Sequence, residues 1–281
     1  LKPAQFVLSL LSPQPHNTLT SRSCCQRVRG ISASEPVMSE FRGLVHRDGE
    51  SLFTFVVNGR ELVIKQQEQQ TQLGDENTLY RVIWASAQLL HAYFIDEQHF
   101  KPGYFAGERV LELGSGTGAV GLVLAALGAE VTMTDLPQAL PLLRRNSLRN
   151  FPGKDGAAEE ARGRPAPPPP PKVLQLSWGE PVPAEVGAVD VVVCSDLLYH
   201  VPLFEPLLAT LQQVMDSDCL CIIAQVHRGW QCEFYRMLED AGMDVTYVQD
   251  LDILSILSTA MLPTEFREDE FDILHVRRRK K

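Results

Sequence analysis

Residues 110–128 read VLELGSGTGAVGLVLAALG. The apolar run that closes on Glu112 and Leu113 has the composition of a buried strand, and the stretch from Ala119 onward has that of a buried helix. Between them, Gly114, Gly116 and Gly118 let the backbone turn tightly and approach a ligand. Strand, glycine loop and helix in this order predict the first unit of an open parallel sheet, with a nucleotide-type cofactor site at its carboxyl edge.

The pattern extends in both directions. Strands are predicted at 109–113, 130–134, 173–176, 189–194, 219–226, 243–248 and 271–277, and helices at 119–127, 137–150, 203–215 and 231–241. Strands alternating with helices specify a parallel sheet covered on both faces. The last run, FDILHV at 271–276, follows another strand without an ordinary crossover and is expected to pair antiparallel. Upstream, FTFVV (53–57) and RELVIKQ (60–66) flank Asn58-Gly59, which favours a type I′ hairpin. Apolar side chains at helical spacing in LYRVIWASAQLLHAYFI predict an amphipathic helix over 79–95. Residues 153–172, GKDGAAEEARGRPAPPPPPK, interrupt the alternation as a low-complexity loop insertion.

Composition bounds the function classes. The chain has 281 residues, 44% hydrophobic and 22% charged, enough for a sizeable core. No apolar run approaches the roughly 20 residues of a membrane-spanning helix. Lys2, Arg22, Arg27 and Arg29 stand in an acid-free stretch, residues 1–34, which leaves 22 basic against 35 acidic side chains in the rest, net −13. Such a body opposes nucleic acid and favours protein or small cationic partners. The six cysteines form no C-x-x-C pair and share no ligand spacing with the histidines, so reduced thiols and no metal site are expected. Residues 1–37 are expected to be a disordered or dispensable extension, since Met38 is the first methionine and precedes the globular pattern.

Two cofactors fit the glycine loop. Gly116 to Gly121 also satisfies the dinucleotide pattern G-x-G-x-x-G, but a pyrophosphate over the helix N-terminus would be opposed by an acid pointing into the site, as Glu112 is expected to do. S-adenosylmethionine brings an ammonium and a sulfonium there and no phosphate, so the same acid is favourable. Asp135 closes the second strand, EVTMTD, where it can accept hydrogen bonds from the ribose hydroxyls of either cofactor.

ELGSGTG followed by TD resembles the first two motifs of class I, seven-strand S-adenosylmethionine-dependent methyltransferases. Leu176-Ser177-Trp178-Gly179 and Ser195-Asp196-Leu197-Leu198-Tyr199 resemble the L-D-W-G segment and the D-x-x-Y motif of methyltransferase family 16, the methyltransferase-like protein-lysine methyltransferases. The hairpin, Ile64 to Gln67, and Trp84-Ala85-Ser86-Ala87 are similar to that family's extension ahead of the Rossmann-like core. The resemblance covers roughly residues 50–278 without the insertion, and Ser177 departs from it where the family has aspartate. It implies a doubly wound, mostly parallel seven-stranded α/β sheet with an antiparallel last strand, in one methyltransferase domain over 38–281, with hairpin and helix at 50–100. It also implies cofactor contacts from Trp84, Glu112, Gly114, Ser115, Gly116, Gly118, Asp135, Leu136, Trp178 and Ser195, and catalytic roles for Asp196 and Tyr199.

Methyl transfer to an amine is an in-line displacement that needs a neutral nitrogen aligned with the methyl carbon. A free lysine has pKa about 10.4, so near neutral pH only about one in a thousand is reactive. A carboxylate nearby favours the ammonium, so Asp196 is assigned capture and orientation of the substrate lysine. Tyr199 is assigned a cation-π face and an orienting hydroxyl. His227-Arg228-Gly229-Trp230 is expected on the same rim, in reach of the target protein. The implied partner is a protein such as a chaperone, an elongation factor or an AAA-type ATPase, with no nucleic acid, no membrane and a monomer favoured. The alternatives are methylation of a nucleic-acid or small-molecule amino group, which the absence of the prolines of D/N-P-P-Y/F opposes, and a non-catalytic interaction module. Cytoplasm is the expected compartment, with the nucleus added if RRRKK (277–281) is a targeting signal, or the mitochondrion if residues 1–37 act as a transit segment.

Overall fold

A computed structural model describes residues 40–47, 50–66, 76–152, 170–249, 252–253, 255–256 and 271–280, with backbone alone for 40–47 and 76–78. Residues 1–37 and nearly all of the insertion at 153–172 lie outside the described residues.

The main sheet has seven strands. β4 (Arg109–Leu113), β5 (Glu130–Asp135), β6 (Lys172–Gln175), β7 (Val191–Ser195) and β8 (Leu220–Val226) run parallel, while β10 (Phe271–Arg278) pairs antiparallel with both β8 and β9 (Met243–Tyr247). The order is β6-β5-β4-β7-β8-β10-β9, so the chain leaves β4 toward one edge and returns past it to β7. This reversal opens a crevice beyond the carboxyl ends of β4 and β7. The expected antiparallel run FDILHV is therefore β10, inserted between β8 and β9.

Among the described residues, five helices flank the sheet: α1 (Ala85–Ile95), α2 (Ala119–Ala126), α3 (Leu140–Asn150), α4 (Phe204–Val214) and α5 (Gln231–Asp240). Alternation along the buried strands feeds two apolar layers. Val110, Val191 and Val193 join the layer under α1, α2 and α3, whereas Leu111, Leu113, Val192 and Cys194 join the layer under α4 and α5. Each such side chain, removed from water, contributes about 1.5–3 kcal/mol.

Two elements differ from expectation. The hairpin is the end of a three-stranded antiparallel sheet, β1 (Glu40–Arg47), β2 (Glu50–Val57) and β3 (Arg60–Gln66). Its β2–β3 turn has positive φ at both Asn58 (51°) and Gly59 (71°), as a type I′ turn requires. β1 escaped detection because EFRGLVHR carries little alternation. The helix predicted over 79–95 is in fact a 3-10 turn, Glu76–Arg81, followed by α1 from Ala85. One bond from β3 and one local bond hold the break: Ile83 N donates to Gln66 Oε1 (3.1 Å), Trp84 Nε1 donates to Leu79 O (3.0 Å), and Trp84 is extended at ψ 159°.

Helix α3 ties the two sheets together through two asparagines four residues apart, hence on one helix face. Asn146 Oδ1 accepts from Lys65 N (2.9 Å), and its Nδ2 donates to Lys65 O (3.0 Å) and to Thr117 O in the glycine loop (2.8 Å). Asn150 treats Val63 in the same way, at 2.7 and 2.9 Å. The open edge of β3 is thereby satisfied without another strand.

Candidate active site

Two loops meet at the crevice. The first follows β4. Gly114 lies at φ 61°, and a Cβ there would stand 2.6 Å from Leu197 Cδ2 and 3.2 Å from Trp178 Cζ2. Only glycine fits this contact, which packs the glycine loop against the tryptophan after β6 and the D-x-x-Y loop after β7. Gly116, at φ 54°, is overlaid by the N-terminal extension, since a Cβ there would stand 3.2 Å from Tyr80 O. The resemblance implies that Trp84, on the same extension, lies near the cofactor. Its indole holds Leu79 O, and Tyr80, which the sequence did not single out, supplies the backbone over Gly116.

Backbone and short side chains close the loop. Asp135 Oδ2 accepts from Gly116 N (2.6 Å) and Oδ1 from Leu136 N (2.7 Å), and burial raises its pKa against the pull of these two donors. Ser115 N donates to Thr134 O (2.9 Å), and Thr134 N donates to Ser115 Oγ (3.1 Å). Leu136 beside them is 42% exposed.

Glu112 is placed by strand parity. It alternates with Val110 and so faces α2, where its Oε2 accepts from Gly121 N (3.1 Å), one of the unpaired donors in that helix's first turn. The residue is 2% exposed, and desolvation pushes its pKa up to about 8, opposed by its bonds to Ser115 and Gly121. The carboxyl group therefore sits under the loop, where desolvation favours its protonated form. The charge argument that set S-adenosylmethionine against a dinucleotide does not operate through an open Glu112.

The second loop follows β7. Asp196 is the second non-glycine residue with positive φ among the described residues, at 58°. Its N donates to Ala224 O (2.8 Å), and its carboxylate accepts from Gln225 Nε2 (2.7 Å), Arg228 Nη1 (2.6 Å) and Arg228 Nη2 (2.8 Å). Gln225 Oε1 accepts from Leu198 N (2.8 Å), and Trp230 Nε1 donates to Leu198 O (2.9 Å). Thus β8 and the turn after it hold both Asp196 and Leu198. Tyr199 follows, half-buried, as does Ser195 before them.

The expected rim His227–Trp230 is present but divided. Arg228 and Trp230 brace the Asp196 loop, while His227 turns the other way and places Nε2 2.8 Å from Asp272 Oδ1 on β10. Asp272 Oδ2 also accepts from Tyr235 Oη (2.8 Å). Arg228 and Gln225 could have been found from sequence by one route: β8 is the parallel neighbour of β7, so residues at its carboxyl end lie beside the residues that follow β7.

The set fits an adenosyl cofactor. A glycine turn, a carboxylate at the end of the next strand, the indole of Trp178 against Gly114 and the exposed Leu136 supply backbone donors, an acceptor for hydroxyls and apolar surface for a base.

Comparison with known proteins agrees. Residues 58–241 match the family profile described as lysine methyltransferase. The chain is 34% identical over 187 residues to EEF1A lysine methyltransferase 3 of Mus musculus, covering 66% of this chain and 71% of that protein. It is 36% identical over 120 residues to Protein N-lysine methyltransferase METTL21A of Danio rerio, covering 42% of this chain and 49% of that one. It thus spans about half the length of the Danio rerio relative and of a Xenopus tropicalis EEF1A lysine methyltransferase 3. Among solved structures, the T. Thermophilus 16S rRNA N2 G1207 methyltransferase shares the fold, with TM-score 0.50 and 16% identity over 84% of this chain and 57% of that one. The chain belongs to the lysine methyltransferase family and is an S-adenosylmethionine-dependent protein-lysine methyltransferase.

Proposed function

We propose that the target lysine enters over the junction of the two loops, where Leu197 packs on Gly114, and that Asp196 and Tyr199 receive it. The observation that carries this reading is the junction itself, because it puts the D-x-x-Y loop against the glycine turn that would hold the cofactor. Bound S-adenosylmethionine supplies the electrophilic methyl group. The residues of this chain hold, orient and desolvate. Gly114, Gly116 and Gly118 give the cofactor a backbone cradle, Asp135 takes ribose hydroxyls and Trp178 borders the base. Asp196 orients the acceptor nitrogen through the accepting capacity left on Oδ2, and Tyr199 offers its ring to the approaching ammonium, worth about 0.5–2 kcal/mol. Exclusion of water by the loop junction lowers the lysine pKa once it is bound.

The mouse relative is named for EEF1A, and an elongation factor was among the expected targets, so EEF1A is the first acceptor to try. Four described cysteines are free, which supports a reducing compartment such as the cytoplasm. The test is transfer of tritium from labelled S-adenosylmethionine into purified EEF1A and into a cell lysate resolved by size, with Asp196→Ala alongside. A discrete protein band lost in the variant, with cofactor binding retained, is the expected result. Full activity in Asp196→Ala would sink the assigned role, and label confined to nucleic acid or small molecules would sink the protein acceptor.

A further inference from the structure

The reaction needs a neutral amine, yet the loop that receives it carries a buried acid. Left alone, that carboxylate would stabilise the acceptor in its ammonium form, which cannot attack a methyl group. The structure answers with Arg228. Its two terminal nitrogens meet the two oxygens of Asp196 at 2.6 and 2.8 Å, fork on fork, with side chains 23% and 4% exposed. A bidentate guanidinium–carboxylate pair is among the stronger and more directional polar contacts in a protein. Arg228 is itself held, since its N donates to Gln231 Oε1 at the start of α5 (3.0 Å).

We propose that Arg228 is a positioning residue for methyl transfer: it keeps Asp196 in its left-handed conformation and cancels the carboxylate's charge, so that the acceptor lysine is met as a neutral nucleophile. The inference rests on the lysine reading above. Asp196 thus directs the nitrogen by geometry instead of by net charge, and the lysine proton leaves to solvent before transfer.

Other titratable groups around the pair are accounted for among the described residues. On β8 and its turn, His227 is engaged with Asp272 of β10, which also accepts from Tyr235 of α5. On the β4 side, Glu112 faces α2 and is bonded to Gly121. On the loop itself, Tyr199 and His200 follow, each with a partner of its own. Arg228 is the cation within ion-pair distance of Asp196 among the described residues.

The experiment compares the full chain with Arg228→Met and Arg228→Lys, reading the initial rate of tritium transfer into the labelled lysate band from pH 6.5 to 9.5, with cofactor affinity measured by equilibrium dialysis. With Arg228→Met, the rising limb of the profile moves up by about one pH unit, so transfer falls roughly tenfold near neutral pH and recovers toward pH 9.5. Cofactor affinity stays within about twofold, and Arg228→Lys, which retains the charge, keeps the wild-type limb. An equal loss at every pH, an unchanged profile, or a gain of activity near neutral pH in Arg228→Met would each overturn the proposal, the last because it would make the guanidinium a competitor of the substrate. If Arg228→Met fails to fold by circular dichroism, the lysine variant decides alone, and a displaced limb there overturns it. Wild-type protein that binds labelled cofactor but labels no protein would overturn the lysine reading, and this inference with it.

Discussion

The loop after β4 is closed mostly through backbone groups: its bonds come from its own backbone and from Thr134 and Asp135 at the end of the adjacent strand, with Asn146 of α3 adding one bond to Thr117 O. The loop after β7 is closed from a distance, by Gln225, Arg228 and Trp230, about thirty positions along the chain. The first is a backbone cradle with little freedom to vary, whereas the second is a set of side-chain bonds that can be removed singly. The cradle should govern cofactor affinity, and the braced loop should govern transfer.

Gly114 is where the two touch, so its replacement should have the largest effect. Gly114→Val combines a positive φ, costing about 1–2 kcal/mol or more for a branched residue, with overpacking of about 1–3 kcal/mol against Leu197 and Trp178. Cofactor affinity by equilibrium dialysis should fall at least a hundredfold, and transfer with it. Retained affinity would mean that the two loops are not packed as described.

Asn146→Ala tests the cradle from behind. It strands Lys65 N and Thr117 O, each unpaired buried group costing about 1–3 kcal/mol, and should lower the urea midpoint together with cofactor affinity. A drop in stability with unchanged affinity would separate the β3–α3 dock from the loop it appears beside.

Glu112 gives the cradle a pH signature. Its carboxyl rises from an ordinary 4.5 to about 8 on folding, so its contribution is complete below about 4.5 and is lost as pH climbs toward 8. Between pH 6.5 and 8 each pH unit should remove up to about 1.4 kcal/mol. Buried His91, lowered from 6.5 to about 4 by desolvation, acts below this window and in the opposite sense. Glu112→Gln can still accept from Gly121 N and should flatten the melting temperature against pH in that window. An equally steep curve in the variant would refute the buried, protonated acid.

The smallest effect belongs to Trp230→Phe, which removes one hydrogen bond to Leu198 O while keeping an aromatic ring, smaller than the indole, at the position, about 0.5–1.5 kcal/mol. Transfer should fall a few-fold with no change in cofactor affinity. A matching loss of affinity would erase the distinction between the two loops.

The same contrast explains what was legible. The strands around the main sheet were readable within one or two residues because burial on both faces leaves continuous apolar runs, and the glycine spacing marked the β4 turn directly. The Asn58-Gly59 turn was readable because it demands positive φ twice in succession. The break between the 3-10 turn and α1 was not, because residues 79–95 are apolar at helical spacing throughout, and the break is held by Gln66 reaching in from β3 and by the Trp84 indole folding back on Leu79. Glu112 was visible as an acid at a strand end, but which way it faced depended on the strand's parity against a helix.

By itself, the order of residues determined the secondary structure of the core, the parallel sheet and the identity of the groups at its carboxyl edge, since periodicity and turn chemistry act over a few neighbours. Only tertiary structure decided that Tyr80 lies over Gly116, that Glu112 is turned under α2 and that Arg228 grips Asp196. Each of these depends on which strands become neighbours, and a pairing between residues 32 positions apart leaves no local pattern to read.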